Sequence, residues 1–140
     1  MSFLKKENTT NFTITDSNHI IILCKVNSIM SRFIIDTGAS NSCINYLSKE
    51  KFNLNFKKSD EKAYSATDKI TNIFYSKNNI LEISHFKKNN FDVILFDMSN
   101  INNTLKEKEI QEVDGIIGGE ILKEHKAFID YEKKILTLKL

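Results

Sequence analysis

Phe33-Ile34-Ile35-Asp36-Thr37-Gly38-Ala39-Ser40 is the stretch on which the fold turns. An apolar strand delivers an aspartate onto a tight loop at the edge of the core. A glycine two residues later lets a backbone N–H approach that carboxylate with no side chain in the way, and Thr37 supplies a hydroxyl that can hold the loop. A carboxylate so placed can act as a general base on water once its surroundings tune it. The tripeptide alone reads first as an Asp-initiated turn after a strand, so its neighbours have to decide.

Immediately upstream, Phe12 to Val26 is rich in Ile, Thr and Val. Ile20, Ile22, Cys24 and Val26 fall on one side of an extended chain, Ile21 and Leu23 on the other. Asn27-Ser28 then makes a turn, so Ile20–Val26 and Ile29–Ile35 form a hairpin that ends on Asp36. Downstream, a short strand is expected around Ser42 to Ile44 and a helical turn or two over Tyr46 to Lys51. Phe52 to Phe56, Ala63 to Ser76, Ile80 to Phe86 and Phe91 to Phe96 read as extended. Ser99 to Glu112 reads as a charged loop, partly helical. Val113-Asp114-Gly115-Ile116-Ile117-Gly118-Gly119 leads into a helix from Glu120 to His125, and strands at Ala127 to Tyr131 and Lys134 to Leu140 follow. Many short strands without a βαβ rhythm argue for an all-β barrel or sandwich. The polar residues 1–10 read as a flexible segment, or one ordered by a partner, ahead of a domain over 11–140.

The 140 residues fit that organisation, and 20 basic against 18 acidic residues give no electrostatic case for nucleic acid or an anionic membrane. The longest apolar run, Ile20 to Cys24, is five residues, far from a membrane span. The first residues lack a signal peptide's apolar stretch, so the cytoplasm is the expected compartment, with Cys24 and Cys43 as buried thiols. Asn8, Asn11 and Asn102 begin glycosylation sequons that, without such a signal, reflect heavy use of Asn. Proline is absent and the four glycines fall in two segments, at Gly38 and at Gly115, Gly118 and Gly119. Each is expected to mark unusual dihedrals or close approach. His19, His85 and His125 share no metal-ligand spacing and are expected at the surface. Asp114 before a glycine reads as a turn residue, and Asp130 as support for a turn or an ion pair.

The Asp36-Thr37-Gly38-Ala39-Ser40 segment resembles the active-site motif of retropepsin-like aspartic proteases, the family of retroviral proteases and their cellular and bacterial relatives. Gly115-Ile116-Ile117-Gly118 before Glu120-Ile121-Leu122 resembles the family's second motif, two apolar residues and a glycine leading into a short helix. Phe128-Ile129-Asp130-Tyr131 and Leu136-Thr137-Leu138 resemble its closing strands. The likeness runs over roughly residues 18 to 140. It implies a closed acid-protease β-barrel with a flap hairpin and one short helix near the C-terminus.

It also implies an aspartic endopeptidase with Asp36 as its catalytic carboxylate. Thr37, Gly38, Ala39 and Ser40 would support the loop, and Ile116, Ile117 and Gly118 would form the structural second motif. With one Asp-Thr-Gly per chain, a homodimer would be needed to pair Asp36 with its copy; the substrate would be a peptide or protein, with no metal or organic cofactor. The terminal strands would interleave between subunits and bury there the apolar face of Ile135 to Leu140. The flap candidate is Ala63 to Ile70 with Ala66 and Thr67 at its tip. It departs from the family's glycine-rich flap tips, and an ordinary surface hairpin is the other reading. The alternative function is a catalytically silent module of the same fold for dimerisation or peptide binding.

Overall fold

In the computed structural model, which describes residues 8–58, 63–64, 69–70 and 72–140, the Asn27-Ser28 turn organises the chain. Both residues have positive φ, 50° and 69°, the two-residue geometry whose twist matches a hairpin. The strands are, in chain order, β1 (Thr9–Asn11), β2 (Thr13–Ile14), β3 (Ile20–Val26), β4 (Ile29–Ile35), β5 (Cys43–Asn45), β6 (Lys57–Lys58), β7 (Ala63–Tyr64), β8 (Lys69–Ile70), β9 (Phe74–Ile83), β10 (Phe86–Phe96), β11 (Gly115–Ile117), β12 (Phe128–Asp130) and β13 (Ile135–Thr137). Two helices, α1 (Ser99–Glu107) and α2 (Gly119–Glu124), are set among them, with a 3₁₀ turn at Tyr46–Ser48.

β3 and β4 pair from Ile20↔Ile35 to Val26↔Ile29, as expected for the hairpin. The sheet runs β3-β4-β11-β5-β10-β9 and closes where β9 returns to β3 at Val26↔Leu81, a six-stranded barrel. Alternation along β3 turns Ile20, Ile22, Cys24 and Val26 inward to meet Phe33, Ile44, Leu81, Ile83, Phe91, Leu95 and Ile117. Asn27 ties the hairpin tip to β9: its amide donates to the Phe52 carbonyl and to Asn79 Oδ1, and its Oδ1 accepts the Ile80 N–H.

The outer face of β3 and β4 carries a second cluster, in which Ile21, Ile34 and Cys43 pack with Met98, Leu105 and Val113 beneath α1. Buried Asn102 holds that helix in place, donating to the Val113 carbonyl and accepting its N–H. The sequon at Asn102 is therefore a structural joint. α1 goes beyond the one short helix expected near the C-terminus, which is α2; its nine residues lie where a partly helical loop was read. Phe52 to Phe56, expected extended, instead turns through Asn53 at a φ of 53°.

The chain ends also differ from expectation. Thr9 and Thr10, read as flexible, lie in β1, which pairs with β13 of the same chain while β12 pairs on the other side. Leu136 and Leu138 are buried in the chain's own core, so that apolar face does not wait for a partner. Both cysteines are free and buried, and burial pushes each thiol up to about 12. Among the described residues no helix is long and apolar enough to cross a membrane.

Candidate active site

Asp36 follows the last residue of β4, and its loop is built almost wholly from main-chain bonds. The Asp36 N–H donates to the Ile117 carbonyl at 2.9 Å, which fixes the loop to the end of β11. The parallel register Ile116↔Ile34 and Ile117↔Ile35 sets the two motifs side by side, and β5 flanks β11 through Ile116↔Cys43. Ile117 is fully buried and Ile116 partly so. Within the loop, the Gly38 N–H donates to Asp36 Oδ1 at 2.9 Å and the Ala39 N–H to the Asp36 carbonyl at 3.2 Å. Asp36, Thr37, Gly38 and Ser40 are exposed, and Ala39 is half-buried.

The loop rests on the start of α2. The Gly119 N–H donates to the Ala39 carbonyl at 2.7 Å. A Cβ on Gly118 would lie 2.9 Å from that carbonyl oxygen, and one on Gly119 3.0 Å from the Thr37 carbonyl oxygen. Close approach, not special dihedrals, explains these glycines: none of the four has positive φ. The sequence reading missed Ser42 and Glu120, which join the loop to α2 through side chains. Their separation of 78 residues carries no periodic signal.

On the flap side, β7 and β8 pair antiparallel at Ala63↔Ile70 and Tyr64↔Lys69, which gives the expected hairpin its stem. Ala66 and Thr67 lie outside the described residues. The strands that lead toward and away from this hairpin are tied by three rings. Tyr46 stacks on Phe74 at 4.6 Å, and Phe56 meets both edge-on at 5.7 Å.

The remaining candidates divide. Asp114 sits beside the middle of β4, accepting the Arg32 N–H at 3.0 Å and pairing with Lys51 at 3.1 Å. Asp130 accepts the Lys133 N–H, the expected turn support. His125 departs from its expected surface role: its ring lies against Phe86 and its Nδ1 bonds the Lys139 carbonyl at 3.0 Å. Among the described residues no group of His, Cys, Asp and Glu is arranged to hold a metal.

A family model described as aspartyl protease matches residues 22–121, from β3 into α2. A search of curated proteins finds no match. Among solved structures, the fold is similar to a retropepsin-like aspartic protease from Rickettsia conorii, with a TM-score of 0.65 and 18% identity over 93% of this chain and 89% of that one. It is similar also to the retroviral protease-like domain of Ddi1 from Leishmania major, with a TM-score of 0.57 and 19% identity over 90% of each chain. A third likeness is to EIAV protease in complex with the inhibitor HBY-793, with a TM-score of 0.60 and 13% identity over 84% of this chain and 98% of that one. With the Asp36 loop and the Ile116-Ile117-Gly118 strand end side by side on this barrel, the chain has a retropepsin-like fold and belongs to the aspartyl protease family.

Proposed function

We propose that the chain is an aspartic endopeptidase that works as a homodimer, each subunit contributing Asp36. The observation that carries the reading is an exposed carboxylate, held by the Gly38 N–H on a loop fixed to β11 and α2, with one such loop per chain. In this reading the loops of two subunits meet, and Thr37 and Ser40 brace them. Two carboxylates about 3 Å apart cannot both ionise easily, so the pair shares one proton. The ionised member takes a proton from water as the oxygen attacks a peptide carbonyl. The protonated member donates to the developing oxyanion. The member that took the proton from water then gives it to the amide nitrogen as the C–N bond breaks, and the other takes back a proton from the diol. The amine leaves and the pair again holds one proton. The pair titrates as a unit, with macroscopic pKa values. Family membership and the barrel support this chemistry, and Ala66 and Thr67 are the proposed flap-tip contacts to substrate.

The test is cleavage of a mixed peptide library by the protein and by Asp36→Asn, scanned over about pH 3.5 to 7.5, where a proton-sharing pair should titrate. Cleavage by the wild type that disappears in the variant is the expected result. A stable dimer that cuts nothing would instead indicate a silent dimerisation or peptide-binding module.

A further inference from the structure

The Asp36 loop is held along its length by three successive anchors, and one of them is made by side chains. Asp36 at its start bonds Ile117, and Ala39 in its middle bonds Gly119, both through the main chain. At its end stands Ser42, which is wholly buried. The Ser42 N–H donates to Glu120 Oε2 at 2.7 Å, its hydroxyl donates to Glu120 Oε1 at 3.0 Å, and its Oγ accepts the Gly118 N–H at 2.9 Å. The donor roles follow without ambiguity. An amide N–H can only donate, so Oγ accepts from Gly118, and the Ser42 hydroxyl hydrogen is free for the carboxylate.

Resting on the function proposed above, we propose that Glu120 is a positioning residue for the reacting Asp36. Its carboxylate fixes the far end of the catalytic loop through both donors of Ser42. The Ser42 N–H is buried and loses its acceptor when Glu120 is removed, so the far end of the loop is no longer fixed. Gly118 belongs to the same device. A Cβ there would stand 2.7 Å from Glu120 Oε1, so a bare α-carbon is what lets the side chain fold back over the loop. Proton sharing between paired carboxylates depends on such placement: reacting groups have to be held within about 0.5 Å, and a displacement of about 1 Å can cost about a hundredfold in rate.

Glu120 also lies in the first turn of α2, where a negative charge alone would favour the helix. The two roles predict opposite behaviour for Glu120→Gln. Glutamine keeps the shape and still accepts the Ser42 N–H through Oε1, but its Nε2 meets the Ser42 hydroxyl as a second donor, so it keeps one of the two bonds and has no charge.

The experiment measures kcat, KM and melting temperature for the wild-type chain, Glu120→Ala, Glu120→Gln and Glu120→Met. Methionine fills similar volume without an acceptor, and so serves if the alanine variant does not fold. Positioning predicts that kcat falls about ten- to a hundredfold in the Ala and Met variants, with KM nearly unchanged, while Gln, which keeps the Ser42 N–H bond, loses clearly less than either. Exchange of the Ser42 amide hydrogen, followed by NMR, should quicken at least about tenfold in Ala and Met and hold in Gln. The proposal is overturned if Gln loses as much as Ala, if Ala keeps wild-type kcat, or if the loss merely tracks the unfolded fraction. A wild type that cuts no peptide overturns the proposed function instead; the amide exchange still decides whether Glu120 fixes the loop.

Discussion

Asp36 and Asp114 are both followed closely by a glycine and lie on neighbouring, parallel-paired strand regions, yet their carboxylates are committed to very different degrees. Asp114 spends its carboxylate on structure: one oxygen accepts the Arg32 N–H and the other faces Lys51, with the side chain mostly buried. Its main chain does the same, the N–H bonding the Arg32 carbonyl and the carbonyl accepting the Asn45 N–H. Among the described residues, Asp36 receives a bond only from Gly38 at its carboxylate, and it is exposed. Residue type and a nearby glycine do not separate a reactive acid from a joint. The number of acceptor sites already occupied does.

The sharpest way to break this contrast is to remove each charge in turn. Asp36→Asn should lower peptide cleavage by at least about a hundredfold, the lower range for losing a positioned acid–base group, and leave the melting temperature nearly unchanged. Steady-state cleavage and a thermal melt check it together. Asp114→Asn should do the reverse. Its amide group points a donor at donors, costing about 1–3 kcal/mol in a urea melt, while kcat per folded molecule holds. Loss of kcat there would mean that the middle of β4 is coupled to the loop at its end.

The glycines extend the comparison. A Cβ on Gly115 would run into the Cys43 carbonyl and the Phe33 ring, neither of which can yield without moving the barrel. Gly115→Ala should therefore cost about 3 kcal/mol, the upper range for overpacking a close-packed site. A Cβ on Gly38 meets only Asp36 Oδ1, at an ordinary 3.4 Å. Gly38→Ala should shift stability by less than about 0.5 kcal/mol. Parallel urea melts of the two variants measure the difference, and equal losses would sink this account of the glycines.

What could be read from the sequence follows the range of the forces involved. The β3–β4 hairpin was legible because alternation and a two-residue turn are local, and the Asp36 loop because its motif is contiguous. α1 was not: Ser-Asn-Ile-Asn-Asn-Thr-Leu-Lys-Glu has weak helix propensity, and it is held by Leu105 in the second cluster and by Asn102 on Val113. The glycines were read as marking unusual dihedrals or close approach, and the structure uses the second at Gly115, Gly118 and Gly119. Left-handed backbone falls instead on residues such as Asn18, Asn27, Asn53, Asn78 and Asn90, whose short polar side chains tolerate it. Leu136 and Leu138 looked like a face awaiting a partner because alternation says which residues are buried and not by which chain. Ser42 and Glu120 were invisible for the plainest reason, being brought together only by the closed barrel.

The smallest expected effect concerns a second ion pair, Lys88 with Glu124 at 3.1 Å on the surface. The bond from Lys88 holds the Glu124 carboxyl below its ordinary value of 4.5. A group whose folded pKa is depressed contributes stability above its unfolded pKa and loses it as pH falls through the folded one. Glu124→Gln should thus lower the melting temperature by less than about 2 °C at neutral pH, because exposed pairs are screened and entropically costly. The difference should shrink as the pH falls below the ordinary carboxylate value toward about pH 3. Melts of both proteins at the two pH values decide it. A larger loss that persists in acid would mean that Glu124 resembles Asp114, a carboxylate committed to structure, despite its exposure.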